Sequence, residues 1–188
     1  MKRFLLPLVL VGLAASRLAG QAVITRDPSL DSAHARVRDA LFVLRDSLSS
    51  VDAAVGRLQR DMSTSSDVVL RSRVKVLRDA CNRAARTAGP TLSVISSTTS
   101  VPSPDPRNVR AETERGLVSL RQAMEKCGTE FGALLPVEKA EELRGYAVPR
   151  ALRMQESIRT YERVIEQYFA TAGIKVRPRG AGKNPFAG

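Results

Sequence analysis

Tryptophan is absent from the 188 residues, and aromatic side chains make up only 4% of them. A platform for stacking the bases of single-stranded nucleic acid, or sugar rings, needs more aromatic surface than this. No specific nucleic-acid partner is therefore expected. Histidine occurs once, at His34. One imidazole cannot supply the metal sites that need two or more, including H-E-x-x-H and the paired E-x-x-H of di-iron bundles. A hydrolase triad would depend on the same residue, and no G-x-S-x-G elbow accompanies it. Glycine-rich phosphate loops are missing too, since Gly180-Ala181-Gly182-Lys183 lacks the strand and helix that such a loop joins. Cysteine occurs twice, at Cys81 and Cys127, in no C-x-x-C motif, which excludes covalent haem attachment and an all-cysteine zinc site. The expectation is a non-enzymatic chain with no metal, no cofactor and no catalytic residue.

Long apolar runs are equally scarce. The one present, Phe4 to Ala15, follows Lys2 and Arg3 and precedes small residues at Ser16, Ala19, Gly20 and Ala22. That is the three-part layout of a secretory signal peptide. Twelve residues make a helix of about 18 Å, short of the roughly 30 Å hydrocarbon core of a bilayer. Leu18-Ala19-Gly20 resembles the approach to a bacterial lipoprotein site, but Gln21 stands where the lipid-bearing cysteine would be. Gly20-Gln21-Ala22 satisfies the small-x-small requirement for ordinary cleavage. Residues 1–22 are read as a signal peptide, with Val23 as the mature start and a periplasmic or secreted destination without lipidation.

Acidic residues are outnumbered, 19 against 30 basic ones. Removing Lys2, Arg3 and Arg17 leaves 27 basic residues and a net charge near +8. Arginine supplies 24 of the 30, a habit of GC-rich bacterial genomes before it is a functional signal. The excess still favours anionic partners such as phospholipid headgroups or polyanionic polymers.

Four segments carry helical periodicity, and none alternates as a strand would. The first opens at Asp27-Pro28, a capping side chain followed by a proline suited to the first turn. From Val37 its apolar positions step by 4 and 3 through Leu41, Leu44, Leu48, Val51, Val55, Leu58 and Met62, a heptad seam on a helix of about 34 residues and roughly 51 Å. Such a seam implies an elongated bundle or homo-oligomerisation through helix one. A polar break at 62–67 leads to a second helix through Leu70, Val74, Leu77, Cys81, Ala84 and Ala88. Gly89-Pro90 is expected to stop it, and the Ser/Thr/Pro-rich stretch 90–105 reads as a linker. Asp105-Pro106 repeats the helix-start signal. The third helix runs through Val109, Gly116 or Leu117, Leu120, Met124, Cys127 and Phe131, with Gly128 as an early stop. Proline at 136 and 149 brackets a short helix over 137–144. A fourth helix carries Leu152, Met154, Ile158, Tyr161, Ile165, Tyr168 and Phe169. The glycine-rich basic tail 173–188 is too poor in apolar surface to order itself. The fold expected for 23–172 is an all-α, elongated four-helix bundle with a long N-terminal helix.

Both cysteines fall on seams, and an oxidising compartment favours pairing them. If helix two ends at Gly89, a simple antiparallel hairpin puts Cys81 about 10 Å from the turn and Cys127 about 31 Å from it. A disulfide needs Cα atoms within roughly 7 Å. Bonding then requires a shifted register or a parallel pair of helices two and three joined by a crossover.

Two surface patterns remain. Arg71, Lys75, Arg78 and Arg86 form a basic stripe on helix two, a candidate anion-binding surface. Gln155-Glu156-Ser157 resembles the Q-E-S triplet of lytic transglycosylases over three residues, with Ile158 and Arg159 where that family has glycine and an aromatic. Such a resemblance would imply envelope glycan cleavage with Glu156 as general acid. Glu156 also sits among Arg159, Glu162, Arg163 and Glu166, the interleaving of a solvated helix face. Glu138, Glu141 and Glu142 read as an exposed face as well. The function expected is binding or scaffolding in the bacterial cell envelope. The partner would be another envelope protein or, through the stripe and basic tail, an anionic envelope surface; glycan cleavage is the third reading.

Overall fold

The computed structural model describes residues 28–62, 65–98 and 106–172. Residues 1–27, which include the expected signal segment, residues 63–64 and 99–105, and the expected tail 173–188 lie outside the described residues. Four helices account for nearly all the rest: α1 (Pro28–Asp61), α2 (Asp67–Ser97), α3 (Pro106–Gly132) and α4 (Ala140–Thr171). Both α1 and α3 begin on the proline of an Asp-Pro pair, where a missing N–H costs nothing.

The helices form a closed square in which α1 packs on α2 and α4, and α3 packs on the same two. Every neighbouring pair is antiparallel. Ser47 meets Thr87 while Asp61 meets Arg73 across α1 and α2. Phe42 meets Phe169 while Gln59 meets Gln155 across α1 and α4. Glu130 lies near Arg150, and Gly116 against Val164, across α3 and α4. The heptad seam of α1 is spent within this square: Val37, Leu41, Leu44, Leu48, Val51, Val55, Leu58 and Met62 are all buried. A homo-oligomer through that seam, expected from its periodicity, would have to break the core, because α2 and α4 already fill the role of the coiled-coil partner.

Two prolines expected to end or separate helices do neither. Pro90 lies inside α2 and Pro149 inside α4. Proline removes one helix hydrogen bond and crowds the carbonyl four residues back, a local loss that tertiary burial offsets. Beyond Pro90 the helix still buries Thr91 and Ile95. The Thr91 hydroxyl donates to the carbonyl of Thr87 at 2.9 Å and reaches the Ala40 carbonyl of α1 at 3.4 Å. The first half of the supposed linker is therefore the last two turns of α2. Likewise residues 140–144 of the short helix expected over 137–144 are the first part of α4, which buries Leu143, Ala147 and Ala151. Leu152, expected in the core, is instead 53% exposed, because alanines at 147 and 151 occupy the inward positions.

Arginines close the ends of the bundle. Carbonyls in a helix's last turn lack intrahelical donors, and three guanidinium groups supply them or fasten the adjoining turns. Arg110 of α3 donates to the carbonyls of Ser96 and Thr98 at the end of α2. Arg144 of α4 donates to Met62 and Ser65 in the α1–α2 turn, at 2.7 and 2.9 Å. Arg71 of α2 donates to Glu138 in the α3–α4 turn.

At two crossings a side chain would obstruct packing. A Cβ on Gly116 would lie 2.8 Å from Cγ1 of Val164, a β-branched residue with little rotamer freedom. Gly116→Ala gains roughly 1 kcal/mol of helix propensity but forces α3 and α4 apart, and a net loss of about 1–2 kcal/mol is expected. Denaturant unfolding checks this, and adding Val164→Ala should relieve the steric part. A Cβ on Gly128 would overlap the Asn82 side-chain amide, so glycine there lets α2 and α3 approach beside the cysteines.

Candidate functional site

Cys81 and Cys127 form a disulfide between α2 and α3, with Cα atoms 5.9 Å apart and both side chains fully buried. No crossover is involved. Gly128 faces Asn82, Gly132 faces the stem of Arg78, and Arg121 lies over Gly89, so one number falls as the other rises. A parallel pair is needed only if α2 ends at Gly89. Extending α2 to Ser97 moves the turn about 12 Å further along the axis and removes most of the register mismatch.

The basic stripe does not survive as one surface. Arg71 is engaged with the Glu138 carbonyl. Arg78 pairs with Asp79 through two nitrogens, at 2.9 and 2.7 Å. Lys75 and Arg86 remain exposed. Helical spacing put all four on one side of α2, but the α3–α4 turn takes Arg71 and the adjacent Asp79 takes Arg78. Glu156 is exposed on α4 and borders none of the clefts described here, and His34 is partly exposed on α1. Two tyrosine hydroxyls are shifted by burial, Tyr161 upward and Tyr168 up to about 12. Neither titrates near neutral pH. Among the described residues no group of three or more His, Cys, Asp or Glu side chains could hold a metal ion, and no helix is long and apolar enough to cross a membrane.

A groove of about 680 Å³ runs along the outside of the α1–α2 pair, a volume within the usual range for small-molecule sites. Its α1 side presents Ala40, Val43, Asp46, Ser47 and Ser50, and its α2 side Arg83, Arg86, Thr87, Pro90, Thr91 and Val94. The heptad pattern explains the concavity. Core positions of α1 and α2 close the interior, and small hydroxyl residues occupy the flanking positions where bulkier side chains would fill the outside. The Ser47 and Thr87 hydroxyl oxygens lie 3.3 Å apart, with their protons directed to the carbonyls four residues back. Pro90 shapes the α2 wall, because its ring replaces a backbone donor and leaves the Arg86 carbonyl without its usual helix partner.

The groove is polarised along its length. Ala40, Val43, Pro90 and Val94 cluster at one end, and Val43 is 58% exposed despite being apolar. Asp46, Ser50, Arg83 and Arg86 mark the other. Of the residues expected from the sequence to bind anions, only Arg86 is here. Val43 carried a signal, an apolar residue two positions beyond the seam residue Leu41, and Arg83 was legible only as one more arginine. Arg86 also borders a second cleft of about 380 Å³ between α2 and α3. The Arg121–Glu125 ion pair, at 2.8 Å, lines that cleft from α3.

No family profile, curated protein or solved structure matches this chain.

Proposed function

We propose that the chain is an exported, non-catalytic helical bundle that works by binding within the bacterial cell envelope, and that the α1–α2 groove is its binding surface. The observation that carries this reading is the groove itself. It is a concave, largely apolar surface with unsatisfied charge at one end, on a scaffold whose α2 and α3 are cross-linked. A rigid scaffold of that kind lowers the ordering cost of binding. The disulfide accords with export, since such bonds persist in oxidising compartments, and the layout of residues 1–22 supports it independently. Association with an anionic envelope surface draws less support, because Arg71 and Arg78 are occupied within the chain.

The test is a photocrosslinking amino acid placed at position 43, with position 152 as a control on an exposed site of α4. In intact cells a discrete adduct is expected from position 43 and not from 152, on a mature chain beginning at Val23. Equal labelling from both positions, or none, overturns the groove as the binding surface. A chain recovered from the cytoplasm with Met1 intact overturns export.

A further inference from the structure

We infer that the α1–α2 groove takes a single-chain amphiphilic anion, with its apolar portion against Val43, Pro90 and Val94 and its acidic head between Arg83 and Arg86. The inference rests on the proposed binding role of the groove and adds the chemistry of the occupant.

The charge pattern selects the head group. Arg83 and Arg86 lie one turn apart on the α2 wall and are exposed, and among the described residues neither has an ion-pair partner. Guanidinium groups at that spacing can each offer two N–H donors to one carboxylate, sulfate or phosphate. Asp46 stands on the opposite wall at nearly the same level, since Ser47 meets Thr87. The polar end therefore carries two positive charges against one negative. A cationic head would meet net repulsion there, and an uncharged one would leave both arginines unused. Asp46 also pushes the anion toward the α2 wall, so the head has one preferred seat.

The apolar end selects the rest of the molecule. From Arg83 to Val94 the α2 wall runs eleven residues, about 16 Å, a length suited to one extended alkyl chain. The Thr87 and Thr91 hydroxyls beneath it are committed to backbone carbonyls, so they ask nothing of a ligand that lacks polar groups in its tail. A small inorganic anion would leave the exposed Val43 uncovered. A flat bilayer would have to present its headgroups to Arg83 and Arg86 while its chains stayed out of reach of Val43 and Val94.

Dodecyl phosphate, held below its micelle-forming concentration, is the probe, titrated into the oxidised protein by calorimetry. Saturable one-to-one binding is expected, with Arg83→Glu/Arg86→Glu weakening it by about tenfold or more, as the loss of charge-assisted hydrogen bonds implies. Val43→Asp should weaken it similarly, whereas Arg153→Glu on α4 should not. All these positions are exposed, and circular dichroism verifies that each variant stays folded. Raising ionic strength from about 0.01 M to about 1 M shortens the screening length from roughly 30 Å to roughly 3 Å and should weaken binding further. Inorganic phosphate binding as tightly, or dodecyltrimethylammonium binding equally well, overturns the inference. Binding only to anionic vesicles overturns it in favour of a surface interaction. Failure of the amphiphile while the adduct at position 43 persists overturns the ligand class and leaves the binding role standing. Loss of both removes the groove reading altogether.

Discussion

The Cys81→Ala/Cys127→Ala variant is expected to lose about 4 kcal/mol of stability, the chain-entropy value for a cross-link closing a loop of 46 residues. That is a large part of the roughly 5–15 kcal/mol available to a single domain. In thermal unfolding the midpoint should fall by on the order of 15 °C. The bond joins helices adjacent in sequence but closes a loop far longer than their turn, because it sits well away from the α2–α3 connection. Both sulfurs are fully buried, so reductant alone should act slowly on the folded protein and quickly once denaturant opens it. A midpoint drop below about 3 °C would show that the bond constrains little.

Phe169→Ala is expected to cost about 3–5 kcal/mol. Phe169 is fully buried near the end of α4, its ring centroid 4.9 Å from that of Phe42 on α1 and 6.5 Å from that of Tyr168. The aromatic pair fastens α1 to α4. Phe42 stands level with the last turns of α2, near Thr91, whereas Cys81 is ten residues earlier, about 15 Å along the axis. At that separation the two effects should add. The variant lacking both cysteines and Phe169 then loses on the order of 7–9 kcal/mol, enough to unfold a domain in the lower half of the usual range at room temperature. Leu152→Ala serves as the contrast. Although the helical pattern placed Leu152 in the core, its exposure limits the expected change to about 0.5 kcal/mol. Equilibrium denaturation of the three proteins, compared at constant slope, decides between burial and periodicity.

The seam of α1 was legible because it combines strict 4-3 spacing with an Asp-Pro start, two local signals that agree. Cys81, Met124, Cys127 and Phe131 were legible as core from the same spacing. Pro90 and Pro149 were misread as boundaries. A missing hydrogen bond is a local quantity, whereas the burial of Ile95 beyond Pro90 and of Ala151 beyond Pro149 depends on other helices. The continuation past Pro90 also sets the register, since an α2 ending at Gly89 would leave the cysteines out of register and require a crossover. The basic stripe failed differently. Helical geometry placed its four residues correctly on one side of α2, but the partners of Arg71 and Arg78 come from a turn 67 residues away and from the adjacent Asp79.

Spacing along the chain suffices for the all-helical fold, the seams that form its interior and the positions of both cysteines on those seams. Periodicity and composition are properties of the chain alone. Tertiary structure decided where α2 and α4 end, that all neighbouring helices run antiparallel, which arginines are clamps and which stay free, and that Val43 and Arg83 share a groove. Each of these depends on what a second helix brings to the same point in space, and spacing along one helix carries no information about that.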